Sequence, residues 1–379
     1  MKQRPIPATY MRGGTSKGVF FLKSDLPEDA RERDALLLRV IGSPDPYQKQ
    51  IDGMGGATSS TSKVVVISPS ERDDCDVDYL FGAVSVEEPV IDWSGNCGNL
   101  TSAVGPFAIQ KGLVDAPSEG NATVRIWQAN IEKHIHAIVP MEDGEVQELG
   151  DFQLDGVTFP AGEIVLEFLS PAGGDGKPLF PTGNPVDTLD LEGFEGVQAT
   201  LLDAGNPTII VDASSLGLTG CEIGDQVNGD AALLARCEAI RAHCAVLMGL
   251  AKTADEATRN RPHTPKLAFI AAPQDYQASS GKNVAANDID LVVRILSMGK
   301  LHHAITGTGA LAIAAAIAVE GTLARALTGD LGSRQASLGH ASGIVEVGAT
   351  ASHDGNAWQI DKAIMSRSAR RLMEGAVLV

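Results

Sequence analysis

Cys97 lies in Ser94-Gly95-Asn96-Cys97-Gly98-Asn99, a run with almost no side-chain bulk to bury a thiol, immediately before the apolar stretch 100–109. A structural cysteine belongs in an apolar setting, as Cys237 and Cys244 do within the stretch 230–250. If the stretch after Cys97 is a helix beginning at Asn99, the thiol stands at its N-terminus. The partial positive charge of a helix end stabilises a thiolate or a bound carboxylate there. A thiol so placed exchanges a proton with carbon or supports an oxyanion.

Lys63 closes a second run of small residues, Asp52-Gly53-Met54-Gly55-Gly56-Ala57-Thr58-Ser59-Ser60-Thr61-Ser62-Lys63. Backbone of this kind lines a pocket, and a lysine at its end acts as a charge clamp or, once desolvated, as a base. A solvated lysine at a strand edge is the plainer reading, and the presence of Cys97 favours the chemical one. A third run, Met11-Arg12-Gly13-Gly14-Thr15-Ser16-Lys17-Gly18, again lets backbone N–H groups approach an anion. The contacts expected of these runs are Gly14, Thr15, Ser16 and Lys17, with Ser94, Gly95, Asn96, Gly98 and Asn99.

Other chemistries find less support. Neither a P-loop order nor a G-x-G-x-x-G after a strand is present, and no G-x-S-x-G elbow marks a serine hydrolase. His302 and His303 are adjacent, so they would point in different directions, and no metal site or cofactor is expected.

Several elements must position these residues. β-Branched and aromatic content predicts strands over 18–22, 63–68, 77–81, 123–127, 134–139, 164–169, 208–211, 267–271 and 344–347. Helices are predicted over 27–41, with Asp25 as its cap, and over 100–111, 230–250, 288–298 and 310–326. Strands dominate, yet the helices are too long for a sandwich, so the class is α+β. The turn formers between Ser170 and Pro185 mark a linker near the midpoint of the 379 residues, a length that implies two domains.

The two halves echo one another. Thr61-Ser62-Lys63 enters an apolar strand in the first and Thr264-Pro265-Lys266 in the second. Gly95-Asn96-Cys97-Gly98 precedes an apolar helix in the first half, and Thr306-Gly307-Thr308-Gly309 in the second. Two such helix starts would make a clamp for a dicarboxylate.

The net charge of −18, from 48 acidic against 30 basic residues, argues against nucleic-acid or membrane surfaces as partners. Any bound anion therefore needs a local basic pocket. Five cysteines without paired spacing indicate reduced thiols and a cytoplasmic setting, and the polar start Met1-Lys2-Gln3-Arg4 reads as no signal peptide.

The runs Arg12-Gly13-Gly14-Thr15-Ser16-Lys17-Gly18, Ser43-Pro44-Asp45, Gln50-Ile51-Asp52-Gly53-Met54-Gly55-Gly56, Asp78-Tyr79-Leu80-Phe81 and Ser94-Gly95-Asn96-Cys97-Gly98-Asn99 closely resemble the PrpF family. The resemblance continues to Arg370-Arg371-Leu372-Met373-Glu374-Gly375. It implies a fold like that of diaminopimelate epimerase: two pseudo-symmetric domains, 1–184 and 185–379, each a sheet wrapped around a central helix, with an interdomain cleft. The last strand is a candidate to return to the first domain. Members of the family include 2-methylaconitate cis-trans isomerase of the methylcitrate route for propionate. The implied reaction is cofactor-independent proton transfer on an unsaturated tricarboxylate, with Lys63 as principal base and Cys97 as its partner. Gly205-Asn206-Pro207 resembles a motif of the wider superfamily, which adds Asn206 to the binding residues, beside Lys266, Thr306, Gly307, Thr308 and Gly309. Where the epimerase has a second cysteine, this sequence is expected to have Thr308. Within the family the rival reaction is 4-oxalomesaconate tautomerisation. A homodimer, and a functional pairing with an aconitase-like methylcitrate dehydratase, complete the expectations, the non-enzyme alternative being an accessory partner of that dehydratase.

Overall fold

In a computed structural model that describes residues 2–172, 178–194, 196–332 and 335–379, the chain forms two compact units. One comprises Met1–Leu166 together with Ser366–Val379, and the other Glu167–Met365.

In the first unit the strands run, from one edge, Ala369–Leu378, Pro5–Gly13, Ser16–Leu22, Lys63–Pro69, Val77–Val84, Gly120–Gln128 and Lys133–Glu142. After the antiparallel edge pair, the pairings alternate antiparallel, parallel, antiparallel, parallel, antiparallel. Helix α1 (Ala30–Ile41) covers one face and α2 (Gly98–Gln110) the other. Side chains of Ser16–Leu22 alternate as a pleated strand requires. Val19 and Phe21 join Leu37, Val40 and Ile41 of α1, whereas the ring of Phe20 meets Phe107 of α2 at 5.5 Å. Helix α2 touches Pro5–Gly13 and Ala369–Leu378 near one edge and Gly120–Gln128 and Lys133–Glu142 at the other, so the sheet curls around it. It is buried throughout from Gly98 to Ala108, which explains why this stretch is apolar on every side.

The second unit repeats the plan. Its strands follow the order Asp187–Thr188, Gln198–Asp203, Pro207–Asp212, Lys266–Ala271, Leu291–Ser297, Ala336–His340 and Gly343–His353. The sequence of pairing types is the same as in the first unit. After the short α3 (Gly224–Asn228), helix α4 (Ala231–Leu247) lays Leu233, Cys237, Ile240 and Cys244 on the outer face, and α5 (Ala254–Asn260) packs beside it. Helix α6 (Gly307–Ala318) is buried from Gly307 to Ile317 and touches strands from both sides of the sheet.

Four expectations need correction. Stretch 288–298 is a strand, Leu291–Ser297, because all seven of its residues are buried and a strand covered on both faces shows no alternation to distinguish it from a helix. Stretch 310–326 is two helices, α6 and α7 (Leu323–Thr328), since Thr322 caps α7 by accepting from Arg325 N. Helix α1 is capped by Asp29, not Asp25, and so begins after Pro27. Helix α2 begins at Gly98 rather than Asn99, because Cys97 itself supplies the cap.

The division between the units falls after Leu166, ahead of the turn-rich stretch. Residues 173–177 of that stretch lie outside the described residues. Its flanks belong to the second unit, where Gly205 N donates to Pro171 O at 2.9 Å and Asp203 N to Leu179 O at 2.8 Å.

Candidate active site

The first unit brings Lys63 and Cys97 together. Lys63 opens its strand and extends Nζ to within 3.0 Å of Ser16 Oγ and 3.1 Å of Cys97 Sγ, donating to both. The ammonium also lies 5.6 Å from the centroid of the Phe81 ring. Leu100 N donates a longer bond to Cys97 Sγ at 3.5 Å, so two N–H donors converge on the sulfur. The cysteine carbonyl accepts from Thr101 Oγ1 at 3.0 Å and from the Tyr79 hydroxyl at 3.4 Å. Burial pushes that hydroxyl well above its ordinary value, which keeps it a donor. Lys63 and Cys97 are only 4% and 5% exposed, so the pair is fixed from several sides and shielded from bulk water.

Glycine at two positions lets α2 come this close to the hairpin. A Cβ on Gly13 would lie 2.6 Å from Asn99 O, and one on Gly14, whose φ is +50°, would overlap Asn99 Oδ1. Asn99 uses the space, donating from Nδ2 to Thr15 Oγ1 at 3.0 Å and accepting at Oδ1 from Arg367 Nε at 3.1 Å. Arg12 ties the same turn to the C-terminal segment, Nη1 donating to Gly14 O at 3.0 Å and Ser368 O at 2.9 Å.

The other expected contacts divide. Thr15 and Ser16 join the Lys63–Cys97 cluster, and Gly95, Asn96 and Gly98 are buried in the turn into α2. Ser94 stands earlier in that turn, where its N–H donates to Asp92 Oδ1 at 2.8 Å. Lys17 is not brought to the cluster; it follows Ser16 by one residue, takes the opposite face of the strand, and rests 5.4 Å from the Tyr10 ring centroid.

The second unit builds a matching turn at the start of α6. Thr306 is the cap, its Oγ1 accepting from Gly309 N at 3.2 Å, and buried Asn206 donates to Thr308 Oγ1 at 3.0 Å. By helix position the counterpart of Cys97 is therefore Thr306, and Thr308 corresponds to Asn99. The Thr15–Asn99 bond of the first unit has become an Asn206–Thr308 bond with the two residue types exchanged. Lys266 opens the strand equivalent to that of Lys63, but its Nζ lies 2.9 Å from both His263 Nδ1 and Ser297 Oγ.

Sequence reasoning passed over Arg367. Its bond to Asn99 joins residues 268 positions apart, so no local spacing could show it. Among the described residues, Asp74, Cys75 and His134 form a group able to reach one metal ion. Burial pushes the Cys75 thiol up to about 11, so it is protonated near neutral pH, and none of the three touches Lys63 or Cys97.

One charge feature unites the site. Lys63, Arg12 and Arg367 have no carboxylate partner among the described residues, although the whole chain carries −18. Burial pulls both guanidinium groups down to about 10, which leaves them charged at neutral pH. Buried cations are ordinarily paired, so a site like this one is suited to a bound anion.

Comparison with known proteins agrees with this architecture. The family described as PrpF protein matches residues 3–379. A protein of Shewanella oneidensis named 2-methyl-aconitate isomerase is 59% identical, the alignment covering 100% of this chain and 97% of that one. The crystal structure of a methylitaconate-delta-isomerase, 40% identical, superposes with a TM-score of 0.79 over 100% of this chain and 96% of its own. A hydroxyproline epimerase from Agrobacterium vitis, 13% identical, shares the fold with a TM-score of 0.58 over 100% of this chain and 94% of its own. The duplicated, epimerase-like architecture and the match along the chain's length thus lead to one assignment: the protein belongs to the PrpF family.

Proposed function

We propose that the protein is an isomerase that interconverts the cis and trans forms of 2-methylaconitate by allylic proton transfer. The observation that carries this reading is the buried Lys63 Nζ to Cys97 Sγ contact of 3.1 Å, set among cations that lack carboxylate partners. The 59% identity to a protein named for that reaction supports it.

An ammonium with a thiolate and an amine with a thiol hold the same number of protons, so Lys63 and Cys97 act as one proton store with a single basic site. That store, with Lys63 as the receiving group, takes a proton from the allylic carbon of the substrate. The electron pair left behind spreads into a dienolate, whose former double bond rotates as a single bond. Return of the proton from the store then fixes the other geometry. Backbone N–H groups at the start of α2 and the nearby cations lower the energy of the dienolate, which is the larger contribution to rate.

The test is to incubate purified protein with cis- and trans-2-methylaconitate and with 4-oxalomesaconate in deuterated water, following exchange by NMR. Exchange and interconversion of the methylaconitates is expected. Faster turnover of 4-oxalomesaconate would reassign the substrate, and no exchange with any of the acids would overturn the enzyme reading. If Lys63→Ala kept full turnover while Cys97→Ala abolished it, the assignment of Lys63 would fail.

This reading includes a cytoplasmic setting, where five free cysteines stay reduced. Among the described residues no helix is long and apolar enough to cross a membrane. It also includes a homodimer and a functional pairing with an aconitase-like dehydratase, which sizing of the pure protein and a coupled assay would test.

A further inference from the structure

Arg367 is 1% exposed, yet its guanidinium makes only two hydrogen bonds among the described residues: Nε to Asn99 Oδ1 at 3.1 Å and Nη1 to Ser366 O at 2.9 Å. Both acceptors are neutral, and Nη2 has no hydrogen-bond partner among the described residues. A buried guanidinium whose one electrostatic interaction is with the Cys97 sulfur lacks a permanent counter-charge and costs stability, and a protein gains nothing from one that only braces an asparagine, which a neutral donor would do as well. Its neighbours lead to the reaction centre. Asn99 follows Cys97 by two residues and bonds Thr15, Thr15 precedes Ser16, and Ser16 accepts from Lys63. The side chain of Arg367 also packs against Gly14, where an added Cβ would come within 3.1 Å of its Cδ.

We propose that Arg367, held by Asn99 over the Gly14 turn, forms a carboxylate-binding subsite and that one carboxylate of the substrate is its missing counter-ion. The proposal rests on the reading of this site as one for a small polycarboxylate, and it adds a selectivity role: Arg367 favours an acid with three carboxylates over one with two. Arg12 has a different role. Its Nη1 is occupied by Gly14 O, Ser368 O and Ser368 Oγ, so it braces the turn and the segment that carries Arg367.

Calorimetry on the full chain tests this with three unreactive acids. Propane-1,2,3-tricarboxylate has three carboxylates, pentanedioate lacks the central one and 2-methylbutanedioate lacks a terminal one. The wild-type protein is expected to prefer the tricarboxylate over at least one dicarboxylate by about tenfold to a hundredfold, the range of one charge-assisted contact. In Arg367→Gln that preference should collapse towards unity while affinity for the same dicarboxylate changes little. Arg367→Lys keeps the charge but loses the fork, and should fall between the two. If the Gln variant does not fold, an unchanged preference in the Lys variant overturns the proposal. Equal weakening of all three acids, or binding of none of them by the wild type, also overturns it. Tricarboxylate preference that depends on Arg367, without proton exchange in deuterated water, would leave the subsite standing and remove the isomerase reading.

Discussion

If Lys63 and Cys97, whose Nζ and Sγ lie 3.1 Å apart, act as the single proton store proposed for them, the pair has a kinetic signature. Removing either residue leaves the other buried without its partner, so each single alanine variant is expected to lose about a thousandfold or more in kcat. Losses from residues that act as one unit do not multiply. Lys63→Ala/Cys97→Ala should therefore fall within about tenfold of the worse single variant, measured as exchange from substrate into deuterated water. A double variant slower by the product of both single effects would mean that the two act independently. These residues were legible in the sequence because each stands among neighbours too small to bury it, where a reactive side chain is the simplest reason for its presence. Arg367 was not, since its meaning comes from the absence of a carboxylate around it, and only the folded chain shows what surrounds a side chain. Thr306 was visible but misplaced. The Gly-Thr-Gly run drew attention to Thr308, whereas the cap bond from Gly309 N identifies Thr306 as the counterpart of Cys97.

Helix α4 shows how an element's packing determines its titration. Cys237 and Cys244 lie on its buried face, and burial pushes their thiols up to about 11 and about 12. In the unfolded chain both return to the ordinary value near 9.0. A thiol whose folded value is raised contributes stability in full below the unfolded value and loses it as pH rises towards the folded one. Stability should therefore decline above about pH 9, with each thiol contributing up to about 1.4 kcal/mol per pH unit. Urea midpoints at pH 7, 9 and 10.5 under reducing conditions measure that slope. The alkaline slope of Cys237→Ala/Cys244→Ala should be shallower than that of the wild type, whatever cavities the substitutions leave. Identical slopes would mean that these thiols do not titrate with unfolding. Helices α4 and α2 were readable from their apolar stretches, and the strand Ile164–Leu169 from its β-branched and aromatic content. Leu291–Ser297 was not, because burial on both sides removes the alternation that marks a strand.

At the scale of the whole molecule, the echo in the sequence was a small part of a larger repeat. Two lysines at strand starts and two glycine turns before apolar helices were visible, while the shared order of antiparallel and parallel pairings was not, since pairing is set by residues far apart. The edge strand differs most between the repeats. The second unit uses its own Asp187–Thr188, whereas the first receives Ala369–Leu378 from the far end of the chain. That strand follows directly on Arg367 and Ser368, pairs with Pro5–Gly13 from Ala369 to Leu378, and covers part of α2. The first unit therefore cannot complete its sheet or its site without the segment Ser366–Val379. A chain ending at Met365 should lose activity and leave residues 2–166 open to proteolysis, while much of the stretch 167–365 stays protected. A synthetic peptide of residues 366–379 should restore part of that protection, because a missing edge strand can be supplied by an added one. Limited proteolysis read by mass spectrometry, with and without the peptide, decides the matter. Full thermal stability and full turnover in the truncated chain would show that the returning segment neither closes the first unit nor completes its site.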